Sequence, residues 1–317
     1  MAIIRPNILK DAVARQKYAQ GVNLLKNEFT TSTTQSLGIP GPSNPISTYD
    51  LFVVWHQVAM MTMTPTSQNE RNAAHSGPVF PAWHRFMLRQ LELNLQRALQ
   101  DPAFGLPYWD WAADGDLTPS KQKKSKIWAA DCMGNTGSPI SKGPFVFKAS
   151  NPQSFRVRID ADSSNQLRQV NRGLRRAIGA GATTLPRRSD TSTALKTTPY
   201  DLPPWDRSSG GFRNFLEGWA QNPVVMHNRV HVWVGGDMLP PTSPNDPVFF
   251  LNHCNVDRIW EAWMNKNGRT YVPLDNASID LKGHRLHDDL SSLISPPTQP
   301  AAVLNMTATY TYDTLLV

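Results

Sequence analysis

The sequence has only two cysteines, Cys132 and Cys254, among its 317 residues. This count excludes a disulfide framework and a zinc site built from CxxC pairs. No run of about 18 apolar residues is present, so we expect no membrane-spanning helix. The beginning of the chain lacks an apolar stretch of signal-peptide length, because Asp11 interrupts it early. We therefore expect a cytoplasmic protein, or one that is secreted only with the help of a partner.

Charged residues are also few, at 18% of the chain, and they leave a net charge of +7. The basic residues are dispersed, apart from KQKKSK at 121–126 and the Arg-rich stretch 168–188. No helix-turn-helix, RRM or basic-region pattern accompanies them, so we expect no nucleic-acid partner. A solvated basic surface that attracts an acidic partner is the simpler interpretation.

Capping residues and apolar periodicity predict two helices in the first third of the chain. Ser47 and Asp50 form a capping-box-like start before the apolar run LFVVWHQVAMM. Pro81 suits the first turn of a second helix, whose apolar residues recur at helical spacing as far as Leu99.

Two further helices and one strand are predicted later in the sequence. Pro223 is predicted to open the third helix, and Asp246 with Pro247 the fourth, which ends at Gly268. Between these helical regions, residues 113–210 are rich in Gly, Ser, Thr, Pro and basic residues. Within them the segment FRVRID at 155–160 alternates like a short strand.

Histidines are the most informative residues, and there are eight of them. Six lie in or beside the predicted helices and form two triplets, which are His56, His75 and His84, and His227, His231 and His253. His227 and His231 are four residues apart, so a helix presents both imidazoles on one face. A single such histidine is usually a core residue, but two triplets flanked by Trp and Phe favour metal binding. The other two, His284 and His287, are expected at the surface.

The ligand type narrows the choice of metal. Imidazole suits copper, zinc, iron and nickel. A zinc hydrolase, the alternative, normally adds a carboxylate ligand or the Glu of an HExxH motif, which is absent here. A blue-copper site needs a Cys ligand, and Cys254 on a helix points about 100° away from His253. Two sets of three neutral nitrogens in aromatic surroundings suit a pair of copper ions that takes up dioxygen.

Several long motifs resemble those of one known family. HSGPVFPAWHRF at 75–86, together with His56, resembles the first copper-binding motif of the type 3 copper proteins. These are tyrosinases, catechol oxidases, o-aminophenol oxidases and haemocyanins. HNRVHVWVGG at 227–236 and SPNDPVFFLNHCNVDRIW at 243–260 resemble the second motif, and LPYWDWA at 106–112 resembles the segment after the first. The resemblance covers most of the chain and is closest to the short Streptomyces-type enzymes.

The resemblance implies a mainly α fold: a four-helix bundle around a binuclear copper site, with long loops and a few short strands. We expect a single domain over residues 1–317. The implied cofactors are two copper ions, with dioxygen as co-substrate. The six histidines would be the ligands, with His56, His75 and His84 on one copper ion and His227, His231 and His253 on the other.

The resemblance also implies three candidate catalytic residues, Glu217, Asn228 and Asn252. Glu217 and Asn228 resemble a Glu–Asn pair that in tyrosinases is thought to hold a water that deprotonates phenols. For Glu217 the alternative is a surface glutamate on a helix. Asn252 is a departure, because the family usually has a second histidine directly before the ligand His253. An amide in that place forms hydrogen bonds but cannot titrate.

Other implied features concern the ends of the chain. Arg5 and Tyr310–Thr311–Tyr312 resemble an Arg/Tyr-x-Tyr pair that joins the ends of the catalytic core in larger relatives. A guanidinium over a tyrosine ring would contribute about 0.5–2 kcal/mol to the free energy of unfolding. Ala73 stands where many eukaryotic relatives have a Cys that forms a thioether with a ligand. Few residues follow His253, so we expect no shielding C-terminal domain. Access to the site then depends on another device, such as a separate copper-loading partner protein.

The leading hypothesis is an oxidase whose partner is a small phenolic substrate. It would oxidise o-aminophenols and o-diphenols to o-quinone imines or o-quinones. A tyrosinase with full monophenol hydroxylase activity is the alternative. Asn252 favours the first hypothesis, whereas Glu217 and Asn228 favour the second. A haemocyanin-like oxygen carrier is a third possibility.

Overall fold

The computed structural model describes residues 2–316, and its architecture is mainly helical. The α-helices are α1 (Ala12–Asn27), α2 (Thr48–Met61), α3 (Phe80–Leu99), α4 (Trp111–Gly115), α5 (Pro119–Gln122), α6 (Arg188–Lys196), α7 (Phe212–Glu217), α8 (Met226–Val234), α9 (Val248–Asn267) and α10 (Pro300–Val303). The strands are β1 (Ile3–Arg5), β2 (Phe29–Thr33), β3 (Pro45–Ser47), β4 (Val157–Ala161), β5 (Leu167–Arg172) and β6 (Tyr310–Tyr312). The predicted class, helices with a few short strands, is confirmed.

Helices α2, α3 and α9 begin and end where local chemistry places them. The Ser47 side chain accepts a hydrogen bond from the Asp50 backbone N–H and so caps α2. Pro81 lies in the first turn of α3, where its missing N–H costs no hydrogen bond. Gly268 follows α9 with φ of 89°, a conformation that glycine adopts without steric cost. The three predictions are confirmed.

The third predicted helix begins later than expected. Pro223 does not open it, because α8 starts only at Met226. Val225 is extended, with φ of −117° and ψ of −174°, and its N–H donates to the Gly218 carbonyl just after α7. The chain before α8 is therefore tied back to the end of α7, and α8 begins directly after this hydrogen bond.

Helix α1 is not among the helices predicted from the sequence, although the sequence contains its capping residue and its apolar periodicity. The Asp11 side chain accepts a hydrogen bond from the Ala14 N–H at 2.9 Å and caps the helix. Tyr18, Val22 and Leu25 recur on one face and are completely buried. This face packs against α3 and α2, two of the helices that carry predicted ligands.

Three two-stranded pairings complete the fold. The predicted strand at 155–160 is found as β4, which pairs antiparallel with β5. Strands β2 and β3 form a second antiparallel pair. Strands β1 and β6 pair in parallel, with Ile3 opposite Tyr310 and Arg5 opposite Tyr312, so the two ends of the described chain lie together.

Helices α2, α3, α8 and α9, which carry five of the six predicted ligands, surround an aromatic core. Trp55 and Trp83 pack edge to face with ring centres 5.3 Å apart, and both are completely buried. Their indole N–H groups donate to the Ser291 carbonyl at 3.0 and 2.9 Å, so both buried N–H groups are hydrogen-bonded. Within residues 2–316 no helix combines the length and the apolar character needed to cross a membrane.

Candidate metal centre

The structure brings the six predicted histidines into two groups. Within each group the three ligand nitrogens lie within 4.8 Å of one another. Five of these histidines come from helices and one from a loop, in the arrangement His56 on α2, His84 on α3, His227 and His231 on α8, His253 on α9, and His75 on the loop between α2 and α3. His75 lies beside a helix and not within it, since α3 starts only at Phe80.

The two groups face each other directly. The rings of His84 and His253 stack with centres 4.0 Å apart and an angle of 10° between their planes. His75 and His227 also lie close, with ring centres 6.0 Å apart. The α3–α9 contact therefore joins the two triplets into a single binuclear arrangement.

Backbone carbonyls lie beside Nδ1 of four of the six imidazoles, and three of these contacts are 2.7 Å or shorter. His56 Nδ1 lies 2.6 Å from the Pro241 oxygen, and His231 Nδ1 lies 2.7 Å from the Met238 oxygen. His84 Nδ1 lies 2.7 Å from the oxygen of Phe80, one turn earlier on α3. A carbonyl accepts only from a protonated Nδ1, so Nε2 keeps its lone pair in each case. This is the arrangement that a metal ligand requires.

Burial keeps the imidazoles neutral. It lowers the pKa of His56 to about 3 and that of His231 to about 4, because the charged form loses its hydration. Burial lowers the pKa of His75, His84 and His253 as well, and neighbouring histidines lower it further. Neutral imidazole is the form that binds a metal ion.

Several imidazole nitrogens at the centre have no partner among the described residues. The Nε2 atoms of His56, His84 and His231 are buried and bond to no described residue. His227 Nε2 and His253 Nε2 lie 3.1 Å apart. Two imidazole nitrogens that share a first-row ion at about 2.0–2.1 Å lie about 3 Å apart. The donor set, the burial and this spacing all fit metal ions held by nitrogen alone, and imidazole suits copper.

Glu217 is completely buried, so the surface position considered for it is wrong. Its Oε1 accepts from the Ser76 N–H at 2.6 Å, and its Oε2 accepts from Arg213 Nη1 at 3.1 Å. Burial raises the pKa of the Glu217 carboxyl, whereas the Arg213 guanidinium acts in the opposite direction. Glu217 also adjoins the metal centre, since its carbonyl oxygen lies 3.2 Å from His227 Nδ1.

The two candidate asparagines lie beside ligands but have different surroundings. Asn228 Oδ1 accepts a hydrogen bond from His227 Nδ1 at 3.0 Å, while Asn228 Nδ2 bonds to no described residue. Asn252 is completely buried on α9 next to His253. Neither atom of its amide bonds to a described residue, which is costly for a buried polar group.

His284 is buried, which corrects the expectation of a surface histidine. Its Nε2 lies 2.9 Å from Thr64 Oγ1, and its ring lies against Gly77, where a β-carbon would come within 2.7 Å of it. The segment that carries His75 therefore rests on His284, which lies outside the two ligand groups. His287 is exposed, as expected, and pairs with Asp275 at 2.6 Å.

An open cavity of about 380 Å³ adjoins the two histidine groups, a size typical of small-molecule sites. It reaches His56, His75, His227 and His231. Its walls are mainly apolar and include several residues that sequence reasoning missed, namely Met60, Trp219, Val224, Leu239 and Pro240. Arg207 also lines it. No sequence pattern marks these residues, because they come from separate loops and helices.

The two cysteines take no part in the metal centre. Cys132 and Cys254 are both free and buried. Cys254 Sγ donates towards the Leu106 carbonyl at 3.4 Å, away from the histidine groups. Burial raises the pKa of each thiol to about 12.

Comparison with known proteins finds related sequences that cover most of this chain. The sequence matches the family model described as the common central domain of tyrosinase over residues 46–266. A tyrosinase of Streptomyces antibioticus is 38% identical over 272 residues, which cover 84% of this chain and 89% of that relative. A grixazone synthase of Streptomyces griseus subsp. griseus is 33% identical over 290 residues, which cover 84% and 90% of the two chains.

A solved structure supports the fold independently. A variant of polyphenol oxidase from Thermothelomyces thermophila superposes with a TM-score of 0.71. The superposition covers 98% of this chain and 88% of that chain, at 21% sequence identity. At this level of identity the likeness concerns the fold alone, and it agrees with a helical bundle that surrounds two histidine triplets.

Proposed function

This chain belongs to the tyrosinase family of binuclear copper oxidases, and we propose that it oxidises o-aminophenols and o-diphenols to o-quinone imines and o-quinones. Each substrate molecule gives up two electrons and two protons. Two substrate molecules are therefore oxidised for each dioxygen that is reduced to two molecules of water. The phenolic substrate reaches the site through the cavity beside the histidine groups.

We propose that the two histidine groups hold the two copper ions of the family. His56, His75 and His84 would bind one ion, and His227, His231 and His253 the other. When bound, the copper pair supplies the two-electron redox chemistry with dioxygen as the oxidant. The protein contributes fixed ligand orientations through the carbonyls behind Nδ1 and a cavity with mainly apolar walls.

The observation that carries the substrate proposal is Asn252. Its amide stands directly before the ligand His253, is completely buried and can neither take up nor release a proton. An o-aminophenol or catechol brings two adjacent donor groups and needs only the removal of electrons and protons. A monophenol must also receive an oxygen atom after it loses its proton, so it depends more on basic groups around the metals.

Tyrosinase activity is the second candidate, and a specific arrangement favours it. The Asn228 side chain and the Glu217 backbone carbonyl both lie beside His227 Nδ1, and this candidate function assigns the Glu217–Asn228 pair to holding the water that deprotonates a phenol. Asn228 Nδ2 is left without a described partner. Both kinds of enzyme name occur among the relatives, a tyrosinase and a grixazone synthase, so sequence similarity alone does not separate the two candidates.

The test compares kcat/KM for 2-aminophenol, catechol and phenol in the copper-loaded protein. We expect the first two to exceed phenol by at least about 10-fold, which corresponds to about 1.4 kcal/mol of activation free energy. Asn252→His is expected to raise the value for phenol relative to 2-aminophenol. Asn265→His is the control, because it makes the same change at an exposed position of the same helix.

Three results would contradict the proposal in different ways. If kcat/KM for phenol equalled that for 2-aminophenol, this chain would be a tyrosinase. An Asn252→His variant with an unchanged substrate ratio would move the selectivity to the cavity walls. A copper-loaded protein that takes up dioxygen without turnover would point to an oxygen carrier.

The copper-loading partner protein also stays a prediction. It is tested by adding copper to the purified chain, and a chain that takes up copper by itself would contradict the need for a partner.

A further inference from the structure

One side chain with a fixed charge lines the cavity beside the metal centre. Arg207 reaches it from the loop between α6 and α7, whereas the other lining residues are apolar, neutral polar or histidine. Among the described residues that line the cavity, Arg207 is therefore the one whose side chain carries a permanent charge.

Arg207 is held in a definite orientation. Its Nε donates to Oγ of Ser76, the residue that follows His75 in the sequence, at 3.0 Å. Its Cζ lies 4.6 Å from the centre of the Trp219 ring, so the guanidinium packs over the indole. These two contacts leave both Nη groups without a partner among the described residues. A planar guanidinium with free Nη donors is suited to bind a carboxylate.

The backbone that carries Arg207 is fixed by buried groups. The Arg207 carbonyl accepts from Asn214 Nδ2 at 2.9 Å, and the Asp206 carbonyl accepts from Arg213 Nη2 at 2.8 Å. Asn214 and Arg213 are both buried on α7. The orientation of the side chain therefore does not depend on a mobile loop.

No charged group of the described protein neutralises Arg207. Within residues 2–316, no carboxylate oxygen lies within the 4.0 Å that defines an ion pair with it. The neighbouring Asp206 instead accepts at Oδ1 from Ser208, through both the backbone N–H and the hydroxyl, at 2.7 Å. The positive charge is thus available to a ligand in the cavity.

We propose that Arg207 selects substrates that carry a carboxylate on or near the phenolic ring, which it binds at the mouth of the cavity. This inference rests on the proposed oxidase function and names its substrate class. The guanidinium would pair with the carboxylate while the ring extends towards the histidine groups, between Trp219 and Val224 on the cavity wall. Arg207 is then a specificity-determining residue that does not touch the reacting atoms.

A matched pair of substrates isolates the charge. In 3-(3,4-dihydroxyphenyl)propanoate and its methyl ester, two methylene groups separate the charge from the ring, so the ring chemistry is nearly equal. We expect the wild-type protein to prefer the acid over the ester by about 3- to 10-fold in kcat/KM, mainly through KM, and less at high salt. Arg207→Gln is expected to remove the preference of the acid over the ester, whereas Arg207→Lys keeps part of it.

Arg168→Gln is the charge control, because it removes one positive charge at an exposed site on β5. A second readout does not need turnover: binding of 3-phenylpropanoate and 3-phenylpropanamide, followed by saturation-transfer NMR on copper-free protein. The acid is expected to bind better, and the difference is expected to vanish in Arg207→Gln.

The two measurements separate failure of this inference from failure of the proposed function. Turnover of both catechols with an acid-to-ester ratio that is unchanged in Arg207→Gln would overturn the role of Arg207 alone. An Arg207-dependent preference in binding without turnover of any catechol would overturn the oxidase function alone. Loss of the preference in Arg168→Gln as well would assign it to the overall basic charge, and the inference would fail.

Discussion

The guanidinium of Arg5 lies over the ring of Tyr310, with Cζ 3.5 Å from the ring centre, although the two residues come from opposite ends of the described chain. The same guanidinium donates to Glu92 Oε1 at 2.9 Å and to Asp257 Oδ2 at 3.1 Å. Asp257 lies one helical turn after the ligand His253 on α9. The predicted contact between the chain ends is confirmed, and it is part of a buried ionic network.

Arg5→Ala is expected to lower the free energy of unfolding by about 3–5 kcal/mol, because it removes one cation from a buried network and leaves Glu92 paired only with Arg89 and Asp257 only with Arg85. Denaturant unfolding of the copper-free protein measures this loss. Lys17→Ala is the control, since Lys17 forms a partly exposed pair with Asp101 and should cost less than about 1 kcal/mol. Equal losses in the two variants would contradict the interpretation.

The contact between Arg5 and Tyr310 can be isolated by a double-mutant cycle. The losses in Arg5→Ala and Tyr310→Leu are expected to be non-additive, since the two side chains touch. Copper content should remain at two ions per chain in each folded variant, because neither residue lies in a histidine group. Fully additive losses would show that the contact contributes no free energy of its own.

Removal of one ligand from each histidine group is expected to abolish turnover. His56→Ala and His231→Ala each leave two imidazoles in a group, so copper content should fall from about two ions per chain to about one or less. Metal analysis and oxygen consumption measure the two effects. His287→Ala changes an exposed histidine and is expected to retain both copper ions and full activity. A variant of His56 or His231 with near-normal activity would remove that residue from the ligand set.

His284 is expected to make the protein less stable as the pH falls. Burial lowers the pKa of His284 to about 3, with the nearby charges of Arg71 and Arg213 acting in the same direction. Between pH 6.5 and 3 the unfolded chain takes up a proton at this histidine that the folded chain does not, so folding stability is lost over that range. At pH 5 the loss from this residue is about 2 kcal/mol.

The measurement is the free energy of unfolding of the copper-free protein at pH 7 and pH 5. His284→Gln removes the titrating group, so the difference between the two pH values should shrink by about 2 kcal/mol. His287→Gln is the control, because it makes the same change at an exposed histidine and should leave the difference between the two pH values nearly unchanged. A pH dependence that is the same in wild type and His284→Gln would contradict the buried, uncharged state of His284.

Both thiols are expected to resist alkylation in the folded protein. Burial raises the pKa of Cys132 and Cys254 to about 12, so little of the reactive thiolate forms at neutral pH. Iodoacetamide followed by mass spectrometry should find no modified cysteine in the folded chain and two after unfolding in denaturant. Rapid modification of either cysteine in the folded protein would contradict its burial.

The sequence predicted much of the metal centre because its information is local. The spacing of His227 and His231 places both on one face of α8, and capping by Ser47 and a proline in the first turn of α3 set the two helices that present His56 and His84. Hydrogen bonds between residues three or four apart decide such features, so they can be seen in a short stretch of sequence.

The sequence could not predict the surroundings of these histidines. Glu217 was considered as a surface residue and His284 was expected at the surface, yet both are completely buried. Their partners, Ser76 for Glu217 and Thr64 for His284, lie far away in the sequence. A short amphipathic pattern cannot indicate such partners.

The sequence alone thus predicted helices α2, α3 and α9 and the two histidine triplets, because helix caps, helical periodicity and histidine spacing are properties of neighbouring residues. Only the tertiary structure decided which polar groups are buried, where Arg207 meets the cavity, and that β1 pairs with β6. The physical reason is that burial and electrostatic pairing depend on contacts between distant segments, which form only when the helices pack together.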